Sequence, residues 1–194
     1  MRYVLDVIKE RRSVRAFRPE PVPDEHLEII LDAARHAPTA NNDQPWCFVV
    51  VREGENLERL RLTLERSIHE RIEAIESDPE ARSERLRPAI AYLENIFAAP
   101  VFIFIFVDTS AYPELVVYDG ALAAGNLMLA ARTLGYGTWF QTTFFPEDVL
   151  RDHFGLPEKF RLICAVPLGR PVAWPAKPPK RPLAELVRYE RWRR

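Results

Sequence analysis

Long apolar runs are missing from this sequence of 194 residues. The longest, PVFIFIFV at 100–107, is far too short to span a bilayer as a helix. The opening MRYVLDVIKERR interrupts its apolar residues with charges, so we expect no signal peptide. The formal net charge of −1 gives no overall electrostatic reason for a nucleic-acid or membrane partner. We therefore expect a cytoplasmic protein that binds neither.

Cysteine and histidine are also scarce. The two cysteines, Cys47 and Cys164, lie in apolar runs and are interpreted as buried thiols, not as a disulfide framework. The four histidines fall in separate segments, with no cysteine or carboxylate at ligand spacing, so no metal site is expected. The sequence has no G-x-S-x-G, Walker or G-x-G-x-x-G motif. Hydrolysis by a Ser or Cys triad therefore has no support.

The apolar pattern predicts one domain over 1–194, built from both helices and strands. A hydrophobic content of 47% is sufficient for a single core. The strands are apolar at consecutive positions, so helices should cover both faces of the sheet. The predicted helices span 24–37, much of 56–98 and 118–134, and the predicted strands span 46–51, 101–108, 138–140 and 161–169.

Three segments are unusual for a small domain. The helix at 118–134 is apolar nearly all round, so it should be buried on every side, and a dimer core would achieve this. The charged segment at 56–98 is interpreted as an exposed helical arm or lid, interrupted at Pro79 and Pro88. The segment from Pro171 is so rich in proline that it should remain extended to about residue 182, before a short helix.

Two short stretches remain as candidates for chemistry. ERRSVRAF at 10–17 concentrates three arginines and a serine in a nearly neutral chain. A basic helix end would explain them, but the same groups can clamp a phosphate through charge-assisted hydrogen bonds. APTANNDQPWCF at 37–48 is typical of a polar loop. Alternatively, it forms a turn rich in hydrogen-bond donors that lies against a flat heterocycle.

The two stretches resemble motifs of the FMN-dependent nitroreductases. ERRSVRAF is similar to the N-terminal RRSxR motif of that family, and APTANNDQPWCFVVV to its AP(S/T)xxNxQPW motif. DGALAAGNLMLAARTLGYGTWF resembles its central interface helix and following strand, and AVPLGRP with PKRPLAEL its C-terminal glycine turn and basic arm. The resemblance covers essentially the whole chain, with the motifs in the family's order and spacing.

The resemblance implies an α+β fold with a mixed central β-sheet flanked by helices and a C-terminal arm swapped between subunits. It also implies a homodimer with two FMN molecules at the interface. Arg11, Arg12 and Ser13 would hold the FMN phosphate and ribityl chain, and Arg15 would reach the pyrimidine edge of the flavin.

Further FMN contacts are implied by the remaining motifs. One subunit would pack Pro38, Thr39, Ala40 and Asn42 against the isoalloxazine held by the other. The remaining matches are Gln141 and Thr142, near flavin N5, and Gly169 with Lys180 or Arg181, in the phosphate clamp. Many relatives carry glycine where this chain has Thr142 or Thr143, so the chain departs from the family pattern there.

The resemblance also implies an activity. NADH or NADPH would reduce the flavin, and a small acceptor such as a nitroaromatic or a quinone would reoxidise it in a ping-pong cycle. Such a cycle needs no acid, base or nucleophile from the protein, so no catalytic side chain is predicted. Two alternatives stay open: a relative that fragments flavin or removes halogen reductively, and a protein that binds FMN without turnover.

Overall fold

A four-stranded sheet organises the chain, which a computed structural model describes over residues 4–142 and 145–192. The strands are β1 (Trp46–Arg52), β2 (Val101–Asp108), β3 (Gly137–Thr138) and β4 (Phe160–Gly169), in the spatial order β1-β2-β4-β3. All three described ladders are antiparallel. The parallel component of the predicted mixed sheet is a single isolated bridge between Ser13 and Thr138.

Seven α-helices surround this sheet in the described residues. They are α1 (Val4–Glu10), α2 (Asp24–Arg35), α3 (Glu55–Ile75), α4 (Pro79–Ile96), α5 (Val116–Thr133), α6 (Glu147–Phe154) and α7 (Leu183–Leu186). A single 3₁₀ turn, Ala40–Asn42, follows α2. Helix α6 was not predicted; it ends at Gly155, whose φ of 64° suits a left-handed C-cap.

Strand β2 shows why both faces of the sheet need cover. Its alternate residues Phe102, Phe104 and Phe106 are buried in one cluster with leucines of α3, α4 and α6. Val101, Ile103 and Ile105 are buried on the opposite face, against α2 and α5. The prediction of helices on both sides is therefore confirmed.

Helices α3 and α4 correct the prediction of an exposed lid at 56–98. Pro79 does start a helix, and Asp78 caps it by accepting the Ala81 N–H at 2.9 Å. Pro88, however, lies inside α4 and does not interrupt it. The inner faces of both helices belong to the core, through Leu57, Leu60 and Leu64 of α3 and Leu93 and Ile96 of α4.

Strand β3 is shorter than the predicted strand at 138–140. Thr138 pairs with Leu168, and Gln141 pairs again with Ala165 through an isolated bridge in the same register. That register places Pro167 opposite Trp139, where the ladder needs an N–H that proline lacks. The ladder therefore breaks after Thr138 and resumes at Gln141.

Helix α5 has one buried and one exposed face in the isolated chain. Ala123, Ala124 and Leu127 are fully buried against the sheet, whereas Tyr118 and Leu122 are 65% and 48% exposed. A Cβ added at Gly125 would meet no atom within 4 Å. Burial on every side is thus wrong for one chain alone, and the exposed apolar face requires another explanation.

The C-terminal arm, residues 172–192, is extended up to Pro182 and then forms α7, as the proline pattern predicted. Several of its large apolar side chains are solvent-exposed, among them Leu183, Tyr189 and Trp192. Over the ranges 4–142 and 145–192, no helix combines the length and hydropathy needed to cross a bilayer.

Candidate cofactor and substrate site

The segment 11–15 follows α1 directly and meets β3 through the isolated bridge between Ser13 and Thr138. Its backbone is fixed to β3 by the Val14 N–H, which donates to the Thr138 carbonyl at 3.0 Å. Val14 is buried against Gly137, where an added Cβ would lie 2.6 Å from Val14 Cγ2. A glycine is therefore needed at 137 for this close approach, and the approach anchors the arginine-rich segment to the sheet.

The start of the C-terminal arm lies beside the same segment. The Arg18 N–H donates to the Arg170 carbonyl at 2.8 Å, and the Val172 N–H donates to the Ala16 carbonyl at 3.1 Å. Farther along, Trp174 stacks on the Arg132 guanidinium at 3.7 Å from Cζ to the ring centroid. These contacts direct residues 175–180 back across the end of α1.

A cavity of about 570 Å³ lies between α1, segment 11–15 and the arm. Six of its eleven lining residues are cations, and none is a carboxylate: the lining is Ile8, Lys9, Arg11, Arg12, Ser13, Arg15, Pro175, Ala176, Lys177, Pro178 and Lys180. We call this space the cationic cavity. So many positive groups without a neutralising acid favour an anionic ligand, and phosphate is the anion that arginine and serine hold best.

The Arg12 side chain has one nitrogen that is hydrogen-bonded to the backbone and one that has no acceptor in the described part of the chain. Its Nη1 donates to the Lys9 carbonyl at 2.8 Å and to the Arg11 carbonyl at 2.7 Å, close to the C-terminal end of α1. Its Nε is buried and has no acceptor among the described residues. Leaving such a donor buried and unpaired is costly, so Arg12 would gain from an acceptor that reached its Nε.

Arg15 lines the cavity and also lies over an aromatic side chain. Its Cζ is 4.5 Å from the ring centroid of Trp139, which is 9% exposed. Tyr92 of α4 meets the same indole edge-on, with ring centroids 6.0 Å apart and an interplanar angle of 83°. The Tyr92 hydroxyl accepts a hydrogen bond from Gln141 Nε2 at 2.9 Å.

Trp139 and Tyr92 were not anticipated from the sequence. No local pattern relates positions 15, 92, 139 and 141, because only the tertiary fold brings α4 to the end of β3. Gln141 was predicted, and it is 4% exposed with its backbone paired to Ala165 in both directions, at 3.0 and 2.9 Å.

The loop at 38–44 forms a second, separate feature. Asn41, Asn42 and Gln44 all have φ between 48° and 60°. This left-handed region is unfavourable for most residues other than glycine. The loop is held by Thr39 Oγ1, which accepts the Gln44 N–H at 3.3 Å, and by Tyr112, whose hydroxyl accepts from Asn41 Nδ2 at 3.3 Å. Strained backbone of this kind is often found at binding sites.

Asp119 connects this loop to α5. Burial raises the pKa of the Asp119 carboxyl; the facing N–H of Ala40 acts in the opposite direction, and the nearby Asp43 carboxylate raises it further. Pro38, Thr39, Ala40 and Asn42 do not line the cationic cavity. Within one chain, therefore, the two predicted parts of the site are not in the same cavity.

The remaining predicted residues lie in different environments. Lys180 lines the cationic cavity, whereas Arg181 is paired with Glu185 at 3.1 Å along the arm. Gly169 is buried at the end of β4, where an added Cβ would lie 2.7 Å from Pro100 Cδ. Thr142 is exposed, and Thr143 lies outside the described residues.

Other reactive groups in the described chain do not form a site. Burial raises the pKa values of the thiols Cys47 and Cys164, which makes both poor nucleophiles. Burial, assisted by the charge of Arg59, lowers the pKa of His153. Within residues 4–142 and 145–192 there is no group of three or more His, Cys, Asp or Glu that could hold a metal ion.

Comparison with known proteins identifies the chain's relatives. The model of the Nitroreductase family matches residues 8–170. The chain belongs to the nitroreductase family. The motif-based prediction of the family, and with it of a flavin oxidoreductase, is therefore confirmed, as is the nitroreductase-like α+β fold.

Individual relatives fall into more than one activity class. A putative NADH dehydrogenase/NAD(P)H nitroreductase of Methanothermobacter thermautotrophicus is 33% identical over 177 residues, which cover 89% of this chain and 79% of the relative. An iodotyrosine deiodinase of Thermotoga neapolitana is 31% identical over 199 residues, covering 97% and 98%. A crystal structure of oxidised iodotyrosine deiodinase bound to FMN and 3-iodo-L-tyrosine is 28% identical, with a TM-score of 0.75 and coverage of 98% and 100%.

Proposed function

We propose that this protein is an FMN-dependent oxidoreductase that uses NADH or NADPH to reduce nitroaromatics, quinones or related acceptors in a ping-pong cycle. The observation that carries the proposal is the cationic cavity, which joins Arg11, Arg12, Ser13 and Lys180 around a space with no acidic side chain. This donor set suits the terminal phosphate of FMN. The solved relative with bound FMN supports the same cofactor.

Several residues of the chain would bind the FMN phosphate in the proposed site. Arg11, Ser13 and Lys180 would hold the phosphate, and Arg12, which lines the same cavity, would add its positive charge. Of the two basic residues considered for the clamp, Lys180 is favoured because it lines the cationic cavity and Arg181 does not. Gly169 supports the clamp indirectly, since only a glycine fits beneath Pro100.

Bound FMN would supply the redox chemistry, taking a hydride equivalent from a reduced nicotinamide and passing electrons to the acceptor. The protein would orient the flavin and supply the charges around it. Arg15 would provide a cation near the pyrimidine edge, where reduction adds negative charge, and Gln141 and Thr142 would lie near N5. No proton donor or nucleophile is assigned to the chain.

A homodimer completes the proposed site. Tyr118, Leu122 and the open position at Gly125 form an apolar strip on α5 that a second copy would cover. In that dimer the 38–44 loop of the second copy, with Pro38, Thr39, Ala40 and Asn42, would reach the isoalloxazine, as the family resemblance implies. The exposed apolar residues of the arm fit the proposed swap of this segment between subunits.

A visible spectrum tests the activity directly. We expect the purified protein to be yellow, to bleach when NADH or NADPH is added without oxygen, and to recover its colour with a nitroaromatic or a quinone. Flavin that binds but does not bleach would support the alternative of an FMN-binding protein without turnover. A colourless protein that takes up no FMN would contradict the proposal.

Reductive deiodination is the second candidate, because deiodinases match nearly the full length of the chain. Release of iodide from 3-iodotyrosine by the reduced protein, faster than reduction of a nitroaromatic, would favour it. Fragmentation of the flavin is distinguished by irreversible loss of the yellow colour when the reduced protein meets oxygen.

The role of Arg15 leads to a measurable potential. A cation about 4 Å from a negative charge is worth about 4 kcal/mol at an effective dielectric near 20, and less where the side chain is exposed, as Arg15 is. If about 1.5 to 3 kcal/mol is lost in Arg15→Ala, the midpoint potential should fall by roughly 30 to 60 mV in a dye-coupled titration. An unchanged potential with FMN still bound would assign the charge near the ring to another residue.

A further inference from the structure

Trp139 is contacted by residues from two different parts of the chain. Arg15, from the segment after α1, lies over its ring with 4.5 Å between Cζ and the centroid. Tyr92, from α4, meets the ring edge-on at 6.0 Å between centroids. Trp139 also belongs to the core cluster on this face of the sheet, so α4 contributes to the position of the indole, on which the stacking surface beneath Arg15 depends.

Arg15 has little else to hold it in one chain. Its side chain is exposed, and among the described residues it forms no ion pair or hydrogen bond to another side chain. Within the described residues, its guanidinium stacks on the ring of Trp139. A shift of the indole would therefore move the guanidinium or release it to solvent.

Tyr92 is connected to the sheet by its hydroxyl as well as by its ring. The hydroxyl accepts from Gln141 Nε2 at 2.9 Å, and the Gln141 backbone is paired in both directions with Ala165 of β4. The neighbouring residue of α4, Leu93, is fully buried in the core. Tyr92 is 37% exposed, but the hydrogen bond to Gln141 and the edge-on contact with Trp139 direct its side chain towards the sheet.

We propose that Tyr92 is a positioning residue that fixes Trp139 and Gln141, and through Trp139 fixes the Arg15 guanidinium that tunes the flavin. The inference rests on the proposed function for the role of Arg15. It assigns to α4 an influence on the redox potential of the cofactor, in addition to its part in the core.

The test compares the midpoint potentials of FMN-loaded variants with that of the wild type. Tyr92→Ala removes both ring and hydroxyl, and we expect it to lower the potential by at least half of the shift seen in Arg15→Ala. In the Arg15→Ala background, Tyr92→Ala should add little, because residues that act in one pathway are not additive. The FMN dissociation constant, measured by flavin fluorescence, should change far less than in a variant of Arg11.

Two further variants make the test specific. Tyr92→Phe keeps the ring against Trp139 and removes only the hydroxyl, so its shift should be smaller than that of Tyr92→Ala. It also serves if the alanine variant does not fold. Asn95→Ala, an exposed change one turn farther along α4, is the matched control and should leave the potential unchanged.

The outcomes separate this inference from the proposed function. If Arg15→Ala lowers the potential and both Tyr92 variants leave it unchanged, the inference is overturned and the proposed function stands. If Tyr92→Ala shifts the potential equally with and without Arg15, Tyr92 does not act through Arg15 and the inference is also wrong. A wild-type protein that binds no FMN contradicts the proposed function itself, and the inference with it.

Discussion

Replacing Arg11 and Ser13 together with alanine is expected to give a folded protein that is almost colourless. Each residue contributes a hydrogen bond to a charged phosphate in the proposed site, worth about 1.5 to 3 kcal/mol. Losing both should therefore weaken FMN binding by roughly 100-fold to more than 10,000-fold, since about 1.4 kcal/mol corresponds to a factor of ten. Titration of FMN followed by flavin fluorescence measures this change.

The fold should survive the double substitution because neither side chain is needed for packing. Ser13 contacts β3 through its backbone, in the bridge to Thr138, and alanine keeps that backbone. Arg11 forms no ion pair among the described residues, and its N–H bond to the Val7 carbonyl also belongs to the backbone. Thermal unfolding of the apoprotein should confirm that stability changes little.

Arg18→Ala provides the matched control for charge. Arg18 follows the same segment and also carries one positive charge, but it lies outside the cationic cavity in a surface contact with Glu20 at 3.6 Å. Such exposed pairs contribute little to stability. FMN affinity should therefore be nearly unchanged in this variant. A double variant of Arg11 and Ser13 that purifies with a full complement of FMN would refute the phosphate assignment.

The cationic cavity could be anticipated because its main part is local in sequence. Arg11, Arg12, Ser13 and Arg15 are close neighbours, so their charge density is visible without a fold. Lys180 was reached only through the resemblance of the arm to a family motif, since 165 or more residues separate it from them. In the structure Lys180 lines the cavity and Arg181 does not.

The support beneath Arg15 could not be anticipated, because it depends on packing between distant elements. Trp139 lies outside the regular strand since Pro167 breaks the ladder opposite it, and only the register of β3 and β4 reveals this. Tyr92 reaches Trp139 because α4 packs its inner face on the sheet. The spacing of Leu57, Leu60 and Leu64 is helical and was a signal that this region is not a purely exposed lid.

A charged residue on the exposed face of α5 is expected to separate the subunits and release flavin. Leu122 is 48% exposed in the isolated chain, so Leu122→Glu should leave the folded subunit intact. In the proposed dimer the same carboxylate would be buried without a partner, which costs several kcal/mol. The dissociation constant of the dimer should rise by a factor of about 1,000 or more, as measured by light scattering over a dilution series.

Flavin loss should follow subunit separation, because the 38–44 loop of one subunit is proposed to complete the site of the other. Leu62→Glu is the matched control, because Leu62 is 44% exposed on α3, across the sheet from α5. This substitution should change neither the mass of the dimer in light scattering nor the amount of bound flavin. Ala124 is unsuitable for this test, since it is fully buried within its own chain and a charge there would unfold the subunit. A yellow, stable monomer of the wild-type protein would contradict the dimer, whereas a yellow Leu122→Glu monomer would show that one chain alone can hold FMN.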